Sequence, residues 1–254
     1  MTTTANLLRA ERIKLFSTRA PWWCLALAFA APLGFTALFF ALAGPEIPPT
    51  VGNTQLASGN GRTVLVVLAI LATASEFNWG TMRLTFQAVP SRVPALLAKV
   101  TVVGAVGAGL GLLVGFGSWG LATVVAPDAD LALHSGAEWR SVLGQSLVFL
   151  LAAVAGVGVA LLLRSVAFAL TVVLVWTQVL EGVVIFIPGA GKHIYQWMPF
   201  HAADQFVGAG GGLGTGALQL PAAPLGPWGY LGYFAAICVA LFVAGVITTA
   251  RRDA

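Results

Sequence analysis

The chain has 254 residues, of which 58% are hydrophobic and only 9% are charged, and its formal net charge is +4. Its mean hydropathy is +0.90. A soluble domain carries about 25% charged residues because its surface must face water. The composition therefore excludes a cytosolic enzyme, a nucleic-acid-binding domain and a secreted disulfide scaffold, and it predicts an integral membrane protein.

Six apolar stretches are long enough to cross a bilayer, which takes a helix of about 20 residues. They cover about residues 22–43, 62–75 with a short extension at both ends, 95–126, 142–163, 165–187 and 228–250. The apolar runs are continuous instead of alternating with polar residues, so membrane strands are excluded. The predicted fold is an all-α bundle of six transmembrane helices that forms a single domain over residues 1–254.

The distribution of basic residues predicts the orientation, because Lys and Arg favour the cytoplasmic side. One side receives three of them, Arg62, Arg140 and Lys192. The other side receives Arg9, Arg12, Lys14, Arg19, Arg83, Arg92, Lys99, Arg164, Arg251 and Arg252. This second side is predicted to be cytoplasmic, which places both termini inside.

The segments outside the spans are short. Residues 1–21 and 76–98 are predicted to be cytoplasmic, and residues 188–227 form an outer loop. Within that loop, residues 197–207 are moderately apolar and predict a short helix before the last span. Since no segment could fold into a soluble catalytic domain, any use of cytosolic energy requires another chain.

Motifs for enzymatic chemistry are incomplete. The run Gly189-Ala190-Gly191-Lys192-His193 lacks the first glycine and the final hydroxyl of a phosphate-binding loop. His201 and Asp204 could share a helical face and touch a metal ion, but a polar pair near the membrane interface explains them better. The sequence therefore predicts no catalytic residue, no cofactor and no metal site.

Glu181 is the only ionisable residue deep inside a predicted span. Its spacing from Thr171, Leu174 and Gln178 predicts that the four residues share one stripe of the fifth helix. A charge in the bilayer core costs at least about 2.5–3.5 kcal/mol, so Glu181 must be protonated, paired or turned to a cavity. Two interpretations stay open: a substrate path, or a contact between helices or subunits.

Small residues recur at four-residue spacing in the third and fourth spans. The third span carries Gly107, Gly111 and Gly115, and the fourth carries Ala152, Gly156 and Ala160. This spacing lets membrane helices approach closely and predicts tight packing.

The inner segment 76–92 mixes aromatic, basic and hydroxyl residues. By spacing, Trp79, Met82, Arg83 and Phe86 are expected on one helical face. Exposed aromatic residues beside a basic residue fit either a protein contact or a helix at the membrane interface, and the residues alone do not separate the two.

Three motifs follow one another in the order expected of one transporter class. They are Leu8-Arg9-Ala10-Glu11-Arg12-Ile13-Lys14-Leu15 with Ser17 and Arg19, then Glu76-x-x-x-Gly80-Thr81-x-Arg83 with Pro90-x-Arg92 and Lys99, and then Trp197-x-Pro199 with Ala202 and Ala203. With six spans, the whole chain resembles the permease subunits of bacterial type-2 ATP-binding cassette exporters. The motifs resemble, respectively, the N-terminal cytoplasmic helix, the loop between the second and third spans, and the small outer helix of those permeases.

This resemblance implies a non-catalytic subunit in the bacterial plasma membrane. Its partners would be two copies of a cytosolic ATPase, a second permease subunit (identical or related) and membrane lipid, with no nucleic acid. The residues implied to couple to the ATPase are Glu76, Trp79, Arg83 and Arg92. The second and fifth spans would line the path, which places Gln178 and Glu181 near the substrate or the dimer seam. The cargo would be amphipathic or lipid-like, such as a drug, natural product or lipid.

Two other functions remain as alternatives. A self-sufficient secondary transporter needs polar groups at the bilayer midplane in matching positions of two halves, and the sequence offers only Glu181. A membrane scaffold or signalling subunit would share the exposed aromatic segment without needing an ATPase.

Overall fold

The computed structural model describes residues 4–42, 49–88, 92–209 and 224–252. All regular elements in these ranges are helical, and six helices are long and apolar enough to cross a membrane. The helices are α1 Thr4–Phe16, α2 Ala20–Leu42, α3 Ser58–Asn78, α4 Thr81–Ala88, α5 Arg92–Val125, α6 Gly136–Leu163, α7 Val166–Val175, α8 Glu181–Val184, α9 Gly191–Tyr195, α10 Pro199–Val207 and α11 Pro227–Arg252. The all-α membrane fold with six spans is thus confirmed.

Two irregular turns modify the spans. A 3-10 turn, Gly52–Gln55, leads into α3, and a π-helical turn, Trp176–Leu180, joins α7 to α8. The second span therefore starts well before residue 62. Its polar residues enter the bundle because they find partners there: the Gln55 amide donates to the carbonyl of Gly115 at 3.1 Å, and the Gln145 amide donates to the hydroxyl of Ser58 at 2.9 Å.

Local capping explains where α6 begins and ends. The Ser135 hydroxyl accepts a hydrogen bond from the backbone of Glu138, whose carboxylate accepts one from the backbone of Ser135, forming a capping box. At the other end, Arg164 adopts the left-handed conformation with φ 53°. This stops the helix, and Ser165 then caps α7 by accepting from the backbone of Phe168.

α6 is the central helix of the bundle, and small residues allow its neighbours to approach. A Cβ on Gly111 or Gly115 of α5 would collide with backbone atoms of α6 at Gln145 or Val142. Gly156 of α6 faces α3, where an added Cβ would lie 2.8 Å from the Cβ of Ala69. Close packing is therefore confirmed, although the two small-residue stripes face different neighbours instead of each other.

Polar contacts define the two ends of the bundle. At the end that we call the α1 end, the ammonium of Lys99 meets Glu11 of α1, and the guanidinium of Arg164 donates to the carbonyl of Thr248 near the end of α11. At the opposite end, called the α10 end, Arg140 donates to the carbonyl of Phe206 in α10 at 2.8 Å. The first and last helices therefore both reach the α1 end.

Candidate functional site

Four charged side chains meet at the α1 end, and we call this group the four-charge junction: Glu11, Lys14, Glu76 and Lys99. The Lys99 ammonium lies 2.6 Å from Oε2 of Glu11 and 2.8 Å from Oε1 of Glu76. The Lys14 ammonium lies 2.7 Å from Oε1 of Glu11 and 3.4 Å from Oε1 of Glu76. The junction thus joins α1, the end of α3 and the start of α5, with a net charge of zero.

Three of the four side chains are almost completely covered. The exposed fractions are 5% for Lys99, 7% for Glu11, 11% for Glu76 and 39% for Lys14. Burial alone would raise the pKa of Glu11, but the attraction of Lys99 and Lys14 outweighs it and holds that pKa below its usual value. Burial would likewise lower the pKa of Lys14, yet its hydrogen bond to Glu11 and the nearby Glu76 charge raise it. Both groups are therefore charged at neutral pH.

The junction is linked to α4, the short helix between the second and third spans. The Lys14 ammonium donates to the hydroxyl of Thr85 at 3.2 Å, and the Thr81 hydroxyl donates to the carbonyl of Glu76 at 3.4 Å. Gly80, with φ +70°, makes the turn from α3 into α4. A displacement of α4 would therefore act directly on the junction.

Trp79 and Met82 do not share the face expected of them in segment 76–92. Trp79 is 81% exposed, whereas Met82 is 4% exposed and packs in the core. The helical spacing fails because α3 ends at Asn78 and the left-handed Gly80 separates it from α4. Trp79 consequently projects into the surroundings beside the junction, where it is free to contact another molecule.

Of the four residues predicted to couple to the ATPase, Glu76 lies in the junction and Trp79 lies next to it. Arg83 belongs to α4 and Arg92 is the first residue of α5. The side chains of Arg83, Phe86 and Arg92 lie outside the described part of the structure. The sequence placed Glu11, Lys14 and Lys99 in its motifs but missed that they form one ion-paired group with Glu76. The motif that links Glu76 with Lys99 was the available signal.

A cavity of about 590 Å³ adjoins the junction between α1, α2, α3 and α5. Lys14, Glu76 and Thr81 line it at the α1 end, and Leu68 and Val103 line it deeper in the bundle. The cavity is thus polar at one end and apolar at the other.

Glu181 belongs to a second polar group, at the α10 end. The side chain accepts three hydrogen bonds: from the indole of Trp176 at 3.0 Å, from the backbone of Phe200 at 3.1 Å and from the backbone of His201 at 3.2 Å. Glu181 is 7% exposed. Its carboxylate therefore caps the N-terminus of α10 and holds that helix to the fifth span.

Arg62 is a buried cation of the same group that the sequence did not predict to be buried. It is 2% exposed, and its guanidinium lies 3.0 Å from a carboxylate oxygen of Asp204 in α10. The guanidinium carbon also lies 5.2 Å from the centre of the Phe200 ring, within the range of a cation–π contact. His201 and Asp204 both belong to α10; Asp204 pairs with Arg62, while the centre of the His201 ring lies 4.1 Å from the centre of the Tyr195 ring.

The predicted stripe of Thr171, Leu174, Gln178 and Glu181 is broken. Gln178 and Thr171 are exposed, whereas Glu181 is buried against α10. The π-helical turn Trp176–Leu180 is the cause, because its wider turn rotates the residues that follow it relative to α7. Gln178 therefore lies on the outer surface of the bundle and Glu181 inside it.

No family model and no curated protein matches the chain.

Proposed function

We propose that this chain is the membrane-spanning permease subunit of an ATP-driven exporter, with the α1 end on the cytoplasmic side of a bacterial plasma membrane. The four-charge junction is the observation that carries the proposal. It connects α1, α3, α4 and α5 at the point where Trp79 is exposed. A cytosolic ATPase that binds this surface would act on all four helices at once.

The geometry of α5 supports a lever-like role. With 34 residues, α5 is the longest helix in the described part of the chain. Its length is about 51 Å, against a hydrocarbon core of about 30 Å. Its first turns therefore extend beyond the apolar layer. Lys99 lies near the boundary between these turns and the membrane, where a displacement of α5 at the surface would be transmitted to the span.

Buried charges contribute little to the stability of a fold, so their presence in the junction indicates another role. Removing charges from water costs several kcal/mol per ion, and apolar packing is often as stable. A paired group such as Lys99 with Glu11 and Glu76 does fix one relative arrangement of its helices. We infer that the junction keeps α1, α3 and α5 in register, so that they move as one unit when the ATPase closes.

Gln178 supports the proposed contact with a second permease subunit. It is a polar side chain exposed on a span whose other exposed residues are largely apolar, including Val175, Val179 and Val183. An amide facing lipid is unfavourable, whereas a partner helix can hydrogen-bond to it. Gln178 therefore belongs to the seam, and Glu181 acts behind it by fixing α10. The amphipathic or lipid-like cargo is part of the same proposal.

Copurification from a mild detergent, with identification of the associated chains and an ATPase assay, tests the docking surface. We expect a cytosolic ATPase in stoichiometric amount, lost in the Trp79→Ala variant. Trp228→Ala is the matched control, because Trp228 is 66% exposed but lies next to Phe206 at the α10 end. Equal recovery of the ATPase with both variants would refute Trp79 as a docking residue.

A second variant distinguishes binding of the ATPase from transmission of its movement to the spans. Lys99 is almost completely buried, so Lys99→Met leaves the docking surface intact while it removes the cation between Glu11 and Glu76. We expect the ATPase to copurify with this variant while transport-coupled ATP hydrolysis is lost. Normal coupling in Lys99→Met would contradict the proposed role of the junction. If no nucleotide-hydrolysing partner copurifies with the wild-type chain, the chain is instead a secondary transporter or a scaffold.

A further inference from the structure

The cavity next to the four-charge junction is amphipathic along its length. Ser75 and Glu76 line its polar end, and Leu71 and Leu68 continue along the same helix into the bundle. Leu68 lies eight positions before Glu76 on this helix, which corresponds to a rise of about 12 Å. On the facing helix, Lys99 is followed by Val102 and Val103. A molecule that fits this lining has a charged head and an apolar tail.

Exposed tryptophans place the polar end at the depth of lipid headgroups. Trp22 and Trp23 of α2, next to Ala20 at the mouth of the cavity, are 59% and 75% exposed. Tryptophan is enriched at membrane–water interfaces, where its ring meets the headgroups. Ser17, Thr18 and Ala20, which also line the cavity, are exposed at this level. The occupant is therefore more readily drawn from the bilayer than from the aqueous phase.

The charges at the polar end of the cavity determine which kind of headgroup it can bind. Two carboxylates and two ammoniums give the junction no net charge, which favours a head that is itself neutral overall. Oε1 of Glu76 contacts both lysines, but its Oε2 is buried without a hydrogen-bond partner among the residues that the structure describes. A buried acceptor without a partner is stabilised by a hydrogen bond from an N–H donor. Glu76 lines the cavity, so its carboxylate lies beside the space that an N–H donor of the occupant would take.

We propose that this cavity binds a membrane phospholipid with a primary-ammonium headgroup, of the phosphatidylethanolamine class. The ammonium donates to Glu76, the phosphate lies beside the partly exposed Lys14 and the hydroxyls of Ser17 and Thr18, and an acyl chain follows Leu71 and Leu68. A choline headgroup has no N–H to donate and is disfavoured. A headgroup with net negative charge gains no net attraction from a junction whose carboxylates and ammoniums cancel.

The proposal is tested on the purified full chain in detergent by native mass spectrometry, with ethanolamine and choline phospholipids of identical acyl chains. We expect about a tenfold preference for the ethanolamine lipid, the difference made by one charge-assisted hydrogen bond. Glu76→Gln should abolish the preference. Thr18→Trp, which changes an exposed residue at the mouth and leaves the junction intact, should reduce binding of both lipids. Asp130→Asn is the control, since its side chain is 80% exposed and lies outside the cavity.

Three results would overturn the proposal. The first is equal binding of the two lipids by the wild-type chain. The second is an unchanged preference in Glu76→Gln, or unchanged binding of both lipids in Thr18→Trp. The third is full displacement of the lipid by water-soluble phosphoethanolamine, which would make this a site for a free headgroup compound. These outcomes are distinct from loss of ATPase copurification, because lipid binding is measured on the isolated chain.

Discussion

The ammonium of Lys99, near the start of α5, lies 2.6 Å from a carboxylate oxygen of Glu11 in α1, although the two residues are 88 positions apart in the sequence. This contact fixes the N-terminal helix to the membrane bundle. α1 would otherwise be held weakly, because its apolar residues do not form one face: Leu15 is 6% exposed, whereas Ile13 is 65% exposed. The ion pair therefore holds α1 against the bundle, as a continuous apolar face holds other surface helices.

Lys99→Met should reduce the free energy of unfolding by about 3–5 kcal/mol, because it leaves Glu11 and Glu76 buried with only the partly exposed Lys14. Denaturant-induced unfolding in detergent measures the change. Arg12→Met is the control, because Arg12 is an exposed residue of the same helix. Adding Glu11→Leu to Lys99→Met should recover part of the loss. If Lys99→Met alone were as stable as Arg12→Met, this account of the junction would be wrong.

Two glycines of α5 should respond in opposite ways to alanine. At Gly111 the added Cβ would collide with backbone atoms of Gln145 and Ser146, so α5 and α6 would have to separate. At Gly109 no atom of the described residues lies within 4 Å of an added Cβ. We expect Gly111→Ala to lower the unfolding temperature and Gly109→Ala to leave it unchanged or raise it, since alanine favours a helix by about 1 kcal/mol over glycine. Equal effects at the two positions would show that close approach of α5 and α6 is not required.

The pair Arg62–Asp204 should be asymmetric, because the cost depends on which charge stays buried. Asp204→Asn leaves a guanidinium that is 2% exposed without its nearest carboxylate, and we expect a loss of about 2 kcal/mol. Arg62→Met leaves Asp204, whose side chain is 33% exposed and can be hydrated, so the loss should stay within about 1 kcal/mol. Unfolding of both variants under identical conditions gives the comparison. The reverse order would mean that the guanidinium finds enough compensation from Glu181 and Phe200.

The attachment of α10 should weaken at acidic pH. Burial lowers the pKa of His201, and Asp204 offsets this only in part. The unfolded chain, with a histidine pKa of about 6.5, therefore binds a proton more readily than the folded chain. Stability should fall as the pH drops below about 6.5 toward the lower folded pKa. Hydrogen exchange of the α10 amides, measured above and below this pH, should show the change in the wild type and not in His201→Gln. His134→Gln, at an exposed histidine, should behave like the wild type.

The six spans could be predicted because they follow from composition: an apolar run of about 20 residues has one stable form in lipid. The short helix before the last span was also predicted, and α10 is found at Pro199–Val207. The start of α3 was not, because Gln55 and Ser58 read as loop residues. They enter the bundle only through partners on α5 and α6.

The polar clusters were predicted only in part, since each depends on residues that are distant in the sequence. Glu76 and Trp79 were predicted as site residues, but nothing local pairs Glu11 with Lys99. Arg62 was assigned to the outer side by its place in the sequence and is found buried against α10. Periodicity failed at Gly80 and again within Trp176–Leu180, where the backbone departs from the regular α-helix.

Because of the π-helical turn, the fifth span carries apolar side chains on its outer surface and a carboxylate that faces the bundle. Before the turn, α7 shows apolar side chains outward, and after it Glu181 is directed inward at α10. Regular α-helical winding over the same five residues would turn Glu181 by about 100° away from its present direction. The carboxylate would then lie on another side of the helix although the composition of the span would be the same. The orientation of α10 is thus set by the number of residues in one turn, a feature that hydropathy does not record.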